Sequence, residues 1–218
     1  MARPKSFFLS PEIHEYVVAH GAEPDEVQRA LIEETAQLPM AGMQISPEQG
    51  TFMTLITRLV GARQAIEVGT FTGYSALSIA RGLPDDGHLL CCDVSEEWTA
   101  IARRAWAKAG VDRKIELRLA PAADTLRALP DEEYVDLAFI DADKPSYPVY
   151  YEELLQRLRP NGLIMVDNTL WGGAIVDANV DDESTVALRA FNDMVAADER
   201  VDTALLTLGD GLTMLRKR

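Results

Sequence analysis

Ala65-Ile66-Glu67-Val68-Gly69-Thr70-Phe71-Thr72-Gly73-Tyr74-Ser75 runs from a short apolar strand through a glycine turn into a helix that carries Leu77, Ile79 and Ala80. A strand, a tight turn and a helix in that order open a βαβ unit, so this stretch sets the fold class as α/β. Gly69 allows the backbone to approach a ligand closely, and Gly73 permits tight packing where the helix starts. The glycine spacing is G-x-x-x-G. It is neither the G-x-G-x-x-G of dinucleotide sites nor a phosphate-cradling loop, since no Lys-Ser or Lys-Thr follows. Glu67 puts a negative charge beside the turn, which disfavours a bound pyrophosphate and favours a ligand bearing positive charge. One βαβ unit further on, His88-Leu89-Leu90-Cys91-Cys92 reads as a second strand and ends in Asp93. An acid in that place accepts hydrogen bonds from ribose hydroxyls.

Two more apolar runs end in acids: Phe139-Ile140-Asp141 and Met165-Val166-Asp167-Asn168. In an open α/β sheet ligands bind outside the carboxyl ends of the strands. Asp141, Asp167 and Asn168 should therefore converge. Two carboxylates and an amide oxygen are hard ligands that suit Mg²⁺ or Ca²⁺, and a bare carboxylate cluster would repel itself without a cation. The alternative for either acid alone is a cap on the helix or turn that follows.

Around these motifs the chain alternates helix and strand. Residues 12–19 and 25–38 read as helices. Ser46-Pro47-Glu48-Gln49 is a helix start, with Ser46 as N-cap, Pro47 at the first position and Gln49 completing a capping box. The helix that follows should bury Phe52, Leu55, Ile56, Leu59 and Val60 on one face. Ser95 caps the next helix and Gly110 stops it. Ile115, Leu117 and Leu119 alternate as a half-exposed strand. Residues 147–158 form a helix closed by Pro160-Asn161-Gly162, and 183–197 form another. Two strands flank Gly209-Asp210-Gly211, a hairpin signal. The expected fold is a doubly wound, mostly parallel sheet with one antiparallel strand. A single domain is expected over 1–218, with 1–45 as a helical lid segment and 46–218 as the core.

The chain has 218 residues, 47 % hydrophobic and 26 % charged, with a net charge of −14. That charge argues against nucleic acid or an anionic membrane surface as partner. Cys91 and Cys92 are neighbours in one strand and so point to opposite faces. Buried free thiols and a reducing, cytoplasmic setting are expected rather than a disulfide. Pro11 and Glu12 cut short the apolar run after the basic start, so no signal peptide is expected.

Adenosine attached to a cation, rather than to phosphates, describes S-adenosylmethionine. The chain resembles the class I S-adenosylmethionine-dependent O-methyltransferases. More narrowly, it is similar to the metal-dependent catechol and caffeoyl-coenzyme A O-methyltransferase family in its short bacterial form. The resemblance is carried by Glu67 to Ser75, by Phe139-Ile140-Asp141-Ala142-Asp143-Lys144, by Val166-Asp167-Asn168-Thr169-Leu170-Trp171-Gly172-Gly173, and by Gly209-Asp210-Gly211-Leu212, in family order from about residue 40 onward. It implies a seven-stranded sheet, an S-adenosyl-L-methionine cofactor, and a divalent cation, Mg²⁺ before Ca²⁺ or Mn²⁺, held by Asp141, Asp167 and Asn168.

By the same resemblance Lys144 is the general base, with Asp141 beside it at the catalytic centre; the alternative for Lys144 is a surface lysine paired with Asp143 or Glu152. A lysine is a base only once its proton is driven off, which a neighbouring cation or burial does. Glu67, Gly69 and Ser75 would surround the amino-acid part of the cofactor, and Asp93 the ribose. Ala122 matches the adenine contact, Phe71 falls at an aromatic position, and Met43 and Ile45 cover the cofactor; each also has a core-packing alternative. Tyr147 and Trp171 would wall the substrate pocket, and Asp141 would border both ligands.

The implied substrate is a catechol-like phenol, because two vicinal hydroxyls can chelate one metal ion. The acidic loop 172–183, with Asp177, Asp181 and Asp182, argues mildly against an anionic coenzyme A ester. Asp143 stands where animal catechol enzymes carry Trp, as is usual in the plant and bacterial branch. A homodimer is expected, with Phe7, Phe8 and Leu9 available to pack on a partner. The competing readings are a metal-independent methyltransferase acting on another small acceptor, and a non-catalytic cofactor-binding protein.

Overall fold

In the computed structural model, residues 9–218 are described. Phe7 and Phe8 of the expected dimer contact lie outside them. Three helices, α1 (Pro11–Gly21), α2 (Glu26–Thr35) and α3 (Pro47–Val60), precede the sheet. Then come β1 (Gln64–Val68), α4 (Tyr74–Gly82), β2 (His88–Asp93), α5 (Glu96–Lys108), β3 (Ile115–Leu119), α6 (Ala122–Arg127) and β4 (Val135–Ile140). The chain closes with α7 (Tyr147–Arg157), β5 (Leu158–Val166), α8 (Glu183–Ala196), β6 (Val201–Leu206) and β7 (Leu212–Lys217).

The seven strands lie in the order β3-β2-β1-β4-β5-β7-β6. β1 to β5 are parallel, and β7 runs antiparallel to both β5 and β6. The order reverses between β1 and β4, and at that switch point a doubly wound sheet opens a crevice at its carboxyl edge.

The two-residue period of the strands divides the core. Ala65, Leu89, Cys91, Leu137, Phe139 and Met165 pack on the face covered by α3, α4 and α5. Their strand neighbours Ile66, Leu90, Cys92, Ala138, Ile140 and Val166 pack on the face covered by α6, α7 and α8. Cys91 and Cys92 are thus buried free thiols on opposite sides of the sheet. Strand β3 is the half-exposed edge that its alternation predicts. Among the described residues no helix is long and apolar enough to cross a membrane.

Three details differ from the sequence reading. First, α3 buries the expected face only in part: Phe52, Ile56 and Val60 pack against the core, but Leu55 and Leu59 are 55 % and 72 % exposed. The buried side carries Gly50, Met53 and Thr57. There α3 lies so close to α4 that a Cβ on Gly50 would stand 2.7 Å from Tyr74 Cε1, and Thr54 Oγ1 donates to the Ser78 carbonyl at 2.8 Å. Small residues permit this approach, and an apolar count overlooks them. Second, Gln49 does not complete a capping box. Ser46 Oγ accepts from Gln49 N, but the Gln49 side chain is used elsewhere. Third, β5 begins at Leu158 rather than after Gly162. Val135 pairs with Leu158 and Leu137 with Leu163, so residues 159–162 bulge out, with Asn161 at φ +63°.

Candidate active site

The β1–α4 loop is held from β2. Gly69 N donates to the Cys92 carbonyl at 2.9 Å. Asp93 Oδ2 accepts from Thr70 N and Phe71 N at 2.9 and 2.8 Å, and Asp93 Oδ1 from Ser95 N at 2.8 Å. Asp93 therefore shapes the turn as well as lining the cavity beside it. Gly69 sits at φ +86°, and an added Cβ would stand 1.9 Å from the Asp141 carbonyl oxygen. Its glycine is required by the neighbouring strand end, not only by a ligand. Gly73, at φ +84°, leaves no room for a Cβ beside Ala102 and Trp106, as tight packing at the helix start requires. Phe71 adopts φ +52°, its ring set edge-on against Trp98 at 5.0 Å between centroids.

Helix α4 has no side-chain cap at Gly73. Its first amides and Ser75 border the cavity, a place suited to an anion. Behind them Glu67 is fully buried, and neither carboxylate oxygen has a hydrogen-bond partner among the described residues. Burial pushes its pKa up to about 8, with Ser75, Thr70 and Cys91 pulling the other way. A buried, unpartnered carboxyl is costly to ionise until a cation arrives.

This produces a pH signature. The proton stays on Glu67 in the folded chain across the window from about 4.5, the unfolded value, to about 8. Stability from this group is full below the lower bound and is lost as pH rises through the upper one, by up to ~5 kcal/mol. Urea unfolding of the ligand-free protein at both ends of the window should show that loss, and Glu67→Gln should remove it.

A cavity of about 800 Å³ covers the carboxyl ends of β1, β2 and β4. Its wall includes the segment Met43–Ile45, the loop Gly69–Ser75, Asp93, Ala122 and Asp141–Lys144; Asn168, Trp171 and Ser184 border it as well. The covering segment is pinned by Gln44 Nε2, which donates to Thr35 Oγ1 and Thr72 Oγ1 at 3.2 and 3.4 Å. Sequence reading missed Gln44, Thr35 and Thr72, because isolated polar residues carry no periodic signal.

On the other side of the switch point, Asp141 N donates to the Val68 carbonyl and Asp167 N to the Ile140 carbonyl, each extending its sheet pairing by one step. Lys144 is 7 % exposed. It pairs with neither Asp143 nor Glu152. Its ammonium donates to Asp141 Oδ1 at 3.1 Å, to Asn168 Oδ1 at 2.6 Å and to Tyr147 Oη at 2.6 Å. Asp143 instead accepts from Tyr150 Oη at 2.6 Å.

Asp167 is buried, and its Oδ1 accepts from Gln49 Nε2 at 2.9 Å. Among the described residues no group of three or more His, Cys, Asp or Glu side chains is placed to hold a metal ion. Asp141 and Asn168 border the cavity and meet at Lys144, whereas Asp167, expected to converge with them, is turned toward Gln49 and is not among the residues bordering the cavity. Tyr147 does not wall the cavity as expected. It is fully buried, and its hydroxyl donates to the Asp167 carbonyl at 3.2 Å, so it supports Lys144 from beneath.

Trp171 does border the cavity, with its ring centroid 5.5 Å from the Lys144 nitrogen. Asn168, Trp171, Gly172 and Gly173 all have positive φ. This turn is held by the β6–β7 hairpin: Thr169 N donates to the Gly211 carbonyl and Leu170 N to the Asp210 carbonyl, both at 3.0 Å, and Gly172 N donates to the Asp210 carboxylate.

Comparison with known proteins matches residues 18–218 to the family model described as O-methyltransferase. The chain belongs to this O-methyltransferase family. The match reaches further toward the N-terminus than the motifs alone carried the resemblance. The methyltransferase is 41 % identical over 207 residues to "Probable caffeoyl-CoA O-methyltransferase 2" of Dictyostelium discoideum, covering 93 % of this chain and 90 % of that one. It is 37 % identical to caffeoyl-CoA O-methyltransferase 2 of Zea mays, covering 98 % and 85 %. Among solved structures, it superposes with a TM-score of 0.87 and 31 % identity on an O-methyltransferase from Bacillus cereus in complex with SAH, covering 95 % and 97 %. The O-methyltransferase TomG from Streptomyces achromogenes, in complex with SAM, gives 0.86 at 29 % identity, covering 100 % and 99 %.

Proposed function

We propose that this methyltransferase transfers the methyl group of S-adenosylmethionine to one hydroxyl of a catechol-like small molecule and depends on a divalent cation. The observation that carries the metal reading is the convergence of Asp141 Oδ1 and Asn168 Oδ1 on a single cationic group, 3.1 and 2.6 Å from the Lys144 nitrogen. Asp167 stands next to Asn168 at the end of β5, with its carboxylate oriented by Gln49. Hard oxygen donors around a position that already attracts positive charge fit Mg²⁺, Ca²⁺ or Mn²⁺. A divalent ion held there supplies Lewis acidity that lowers the pKa of a substrate hydroxyl.

The chain's own groups do the rest. The buried Glu67 carboxyl behind the β1–α4 loop is matched to the ammonium of the methionine part. Ser75 and the uncapped α4 amides suit its carboxylate. The spare lone pair of Asp93 Oδ1 suits the ribose, Ala122 the adenine edge, and Met43, Ile45 and Phe71 exclude water above the cofactor. Lys144, whose ammonium now donates to Asp141, Asn168 and Tyr147, would take the proton from the attacking hydroxyl only after a cation between Asp141 and Asn168 had displaced it and driven off one of its own protons. Trp171 offers a flat face to the ring.

The test is methyl transfer to a catechol panel with Mg²⁺ and with excess EDTA. Turnover abolished by EDTA and restored by Mg²⁺ is the expected outcome. Turnover that survives EDTA would favour a metal-independent enzyme in which the Lys144 ammonium itself faces the phenolate. A finer check concerns Gln49. Replacing it with Leu leaves Asp167 Oδ1 without that donor, and loss of an outer-shell partner typically costs about 10–100-fold in metal affinity. Calorimetric titration of Gln49→Leu with Mn²⁺ should show that loss, with S-adenosylmethionine affinity unchanged.

A further inference from the structure

We propose that the acceptor is a small catechol, neutral or cationic, and that the site discriminates against catechols carried on a phosphate-rich thioester such as coenzyme A. This rests on the catechol reading and adds the charge class of its substrate. Proteins hold phosphates mainly with Arg or Lys side chains and at open helix N-termini. Along the wall formed by Lys144, Asn168, Trp171, Gly172 and Ser184, both means are already in use among the described residues.

Lys144 is the one basic side chain of that wall, and its ammonium is surrounded by Asp141, Asn168 and Tyr147. Arg189 of α8 lies behind the 172–183 loop. It donates to the Ala174, Ile175 and Val180 carbonyls at 2.8–2.9 Å and also to the Asp177 carbonyl. The guanidinium therefore folds the loop and is not offered to a ligand. The N-terminus of α8 is filled by the chain's own carboxylate, with Asp182 Oδ1 accepting from Thr185 N at 3.1 Å.

What the loop presents outward is negative. Asp177, Asp181, Asp182 and Glu183 are all exposed, and Ser184 at the cavity edge follows them directly. On a chain of net charge −14 this field repels a ligand bearing a diphosphate and a 3′-phosphate and attracts an ammonium. The half-buried ring of Trp171 meanwhile serves any dihydroxyphenyl group alike.

The experiment compares three acceptors that share that ring: dopamine (cationic), methyl caffeate (neutral) and caffeoyl-coenzyme A (polyanionic). Each is assayed with S-adenosylmethionine and Mg²⁺ at low and high salt. The expected kcat/KM for caffeoyl-coenzyme A at low salt is at least ~10-fold below the other two, and the gap narrows as salt screens the repulsion. Asp181→Lys, a change in the exposed loop, should narrow the gap by ~3-fold or more while leaving methyl caffeate unmoved. Caffeoyl-coenzyme A used as well as dopamine would overturn the charge class and leave the catechol reading in place. A gap indifferent to both salt and Asp181→Lys would also overturn it, since shape rather than charge would then set the preference. No methylation of any of the three, with S-adenosylmethionine still bound, would overturn the catechol reading and this inference with it.

Discussion

Replacing Asp141 or Asp167 with Asn is expected to lower turnover by about 10³-fold or more while the protein remains folded. Asn keeps the shape and one acceptor oxygen, so Asp167→Asn can still accept from Gln49 Nε2, which stands 2.9 Å from the native Oδ1. What is removed is one negative charge from the proposed metal ligands Asp141, Asp167 and Asn168. A metal-bound hydroxyl draws several kcal/mol of charge stabilisation from the ion, and each ~1.4 kcal/mol is tenfold in rate. Asp167→Asn is the sharper of the two, because Asp141 also borders the cofactor cavity. The measurement is kcat under saturating S-adenosylmethionine across a Mg²⁺ series, with cofactor and metal affinities read by calorimetry. Weakened metal binding with unchanged cofactor binding is the expected pattern. Turnover within tenfold of the parent would remove Asp167 from the metal set.

Gly69→Ala should be the most damaging single methyl group in the fold. Its Cβ would fall 1.9 Å from the Asp141 carbonyl oxygen and 2.7 Å from the Asp141 carbonyl carbon, at φ +86°. The left-handed conformation alone costs an L-residue about 1–2 kcal/mol. Relieving the contact requires the β1 turn and the β4 end to part, which is the crevice on which both ligands depend. A loss of at least ~3 kcal/mol is expected, or roughly 6–12 °C in Tm for a chain of this size, with methyl-transfer activity falling even below the melting transition. Gly61→Ala is the control. Gly61 has φ +67° at the end of α3 and nothing within 4 Å of an added Cβ, so only the conformational cost of about 1–2 kcal/mol applies. Equal losses for the two variants would show that the approach to Asp141 does not matter.

The strands, the order of helices and the acids at strand ends were legible because each is written locally. Short apolar runs, the Ser46 and Ser95 caps and the Gly110 stop need only neighbouring residues, and all recur in the structure. The misreadings share one cause. The buried face of α3 is set by how near α4 comes, which Gly50 and Thr54 permit and Leu55 and Leu59 do not reveal. Tyr147 has an aromatic ring at the expected place in the chain, yet its hydroxyl turns inward to Lys144 and the Asp167 carbonyl.

By itself, then, the sequence determined the α/β class, the sheet with its antiparallel final hairpin, and the family, since propensity and motif spacing are properties of adjacent residues. Only the tertiary structure decided that Lys144 stands between Asp141 and Asn168, that Glu67 is buried with no cation beside it among the described residues, and that Gln49 reaches an acid 118 positions away. Those facts depend on which strand ends the crossovers bring together and on how closely the helices pack. Burial then turns such meetings into chemistry, because a carboxylate or ammonium removed from water must find its counterpart in whatever the fold has placed beside it.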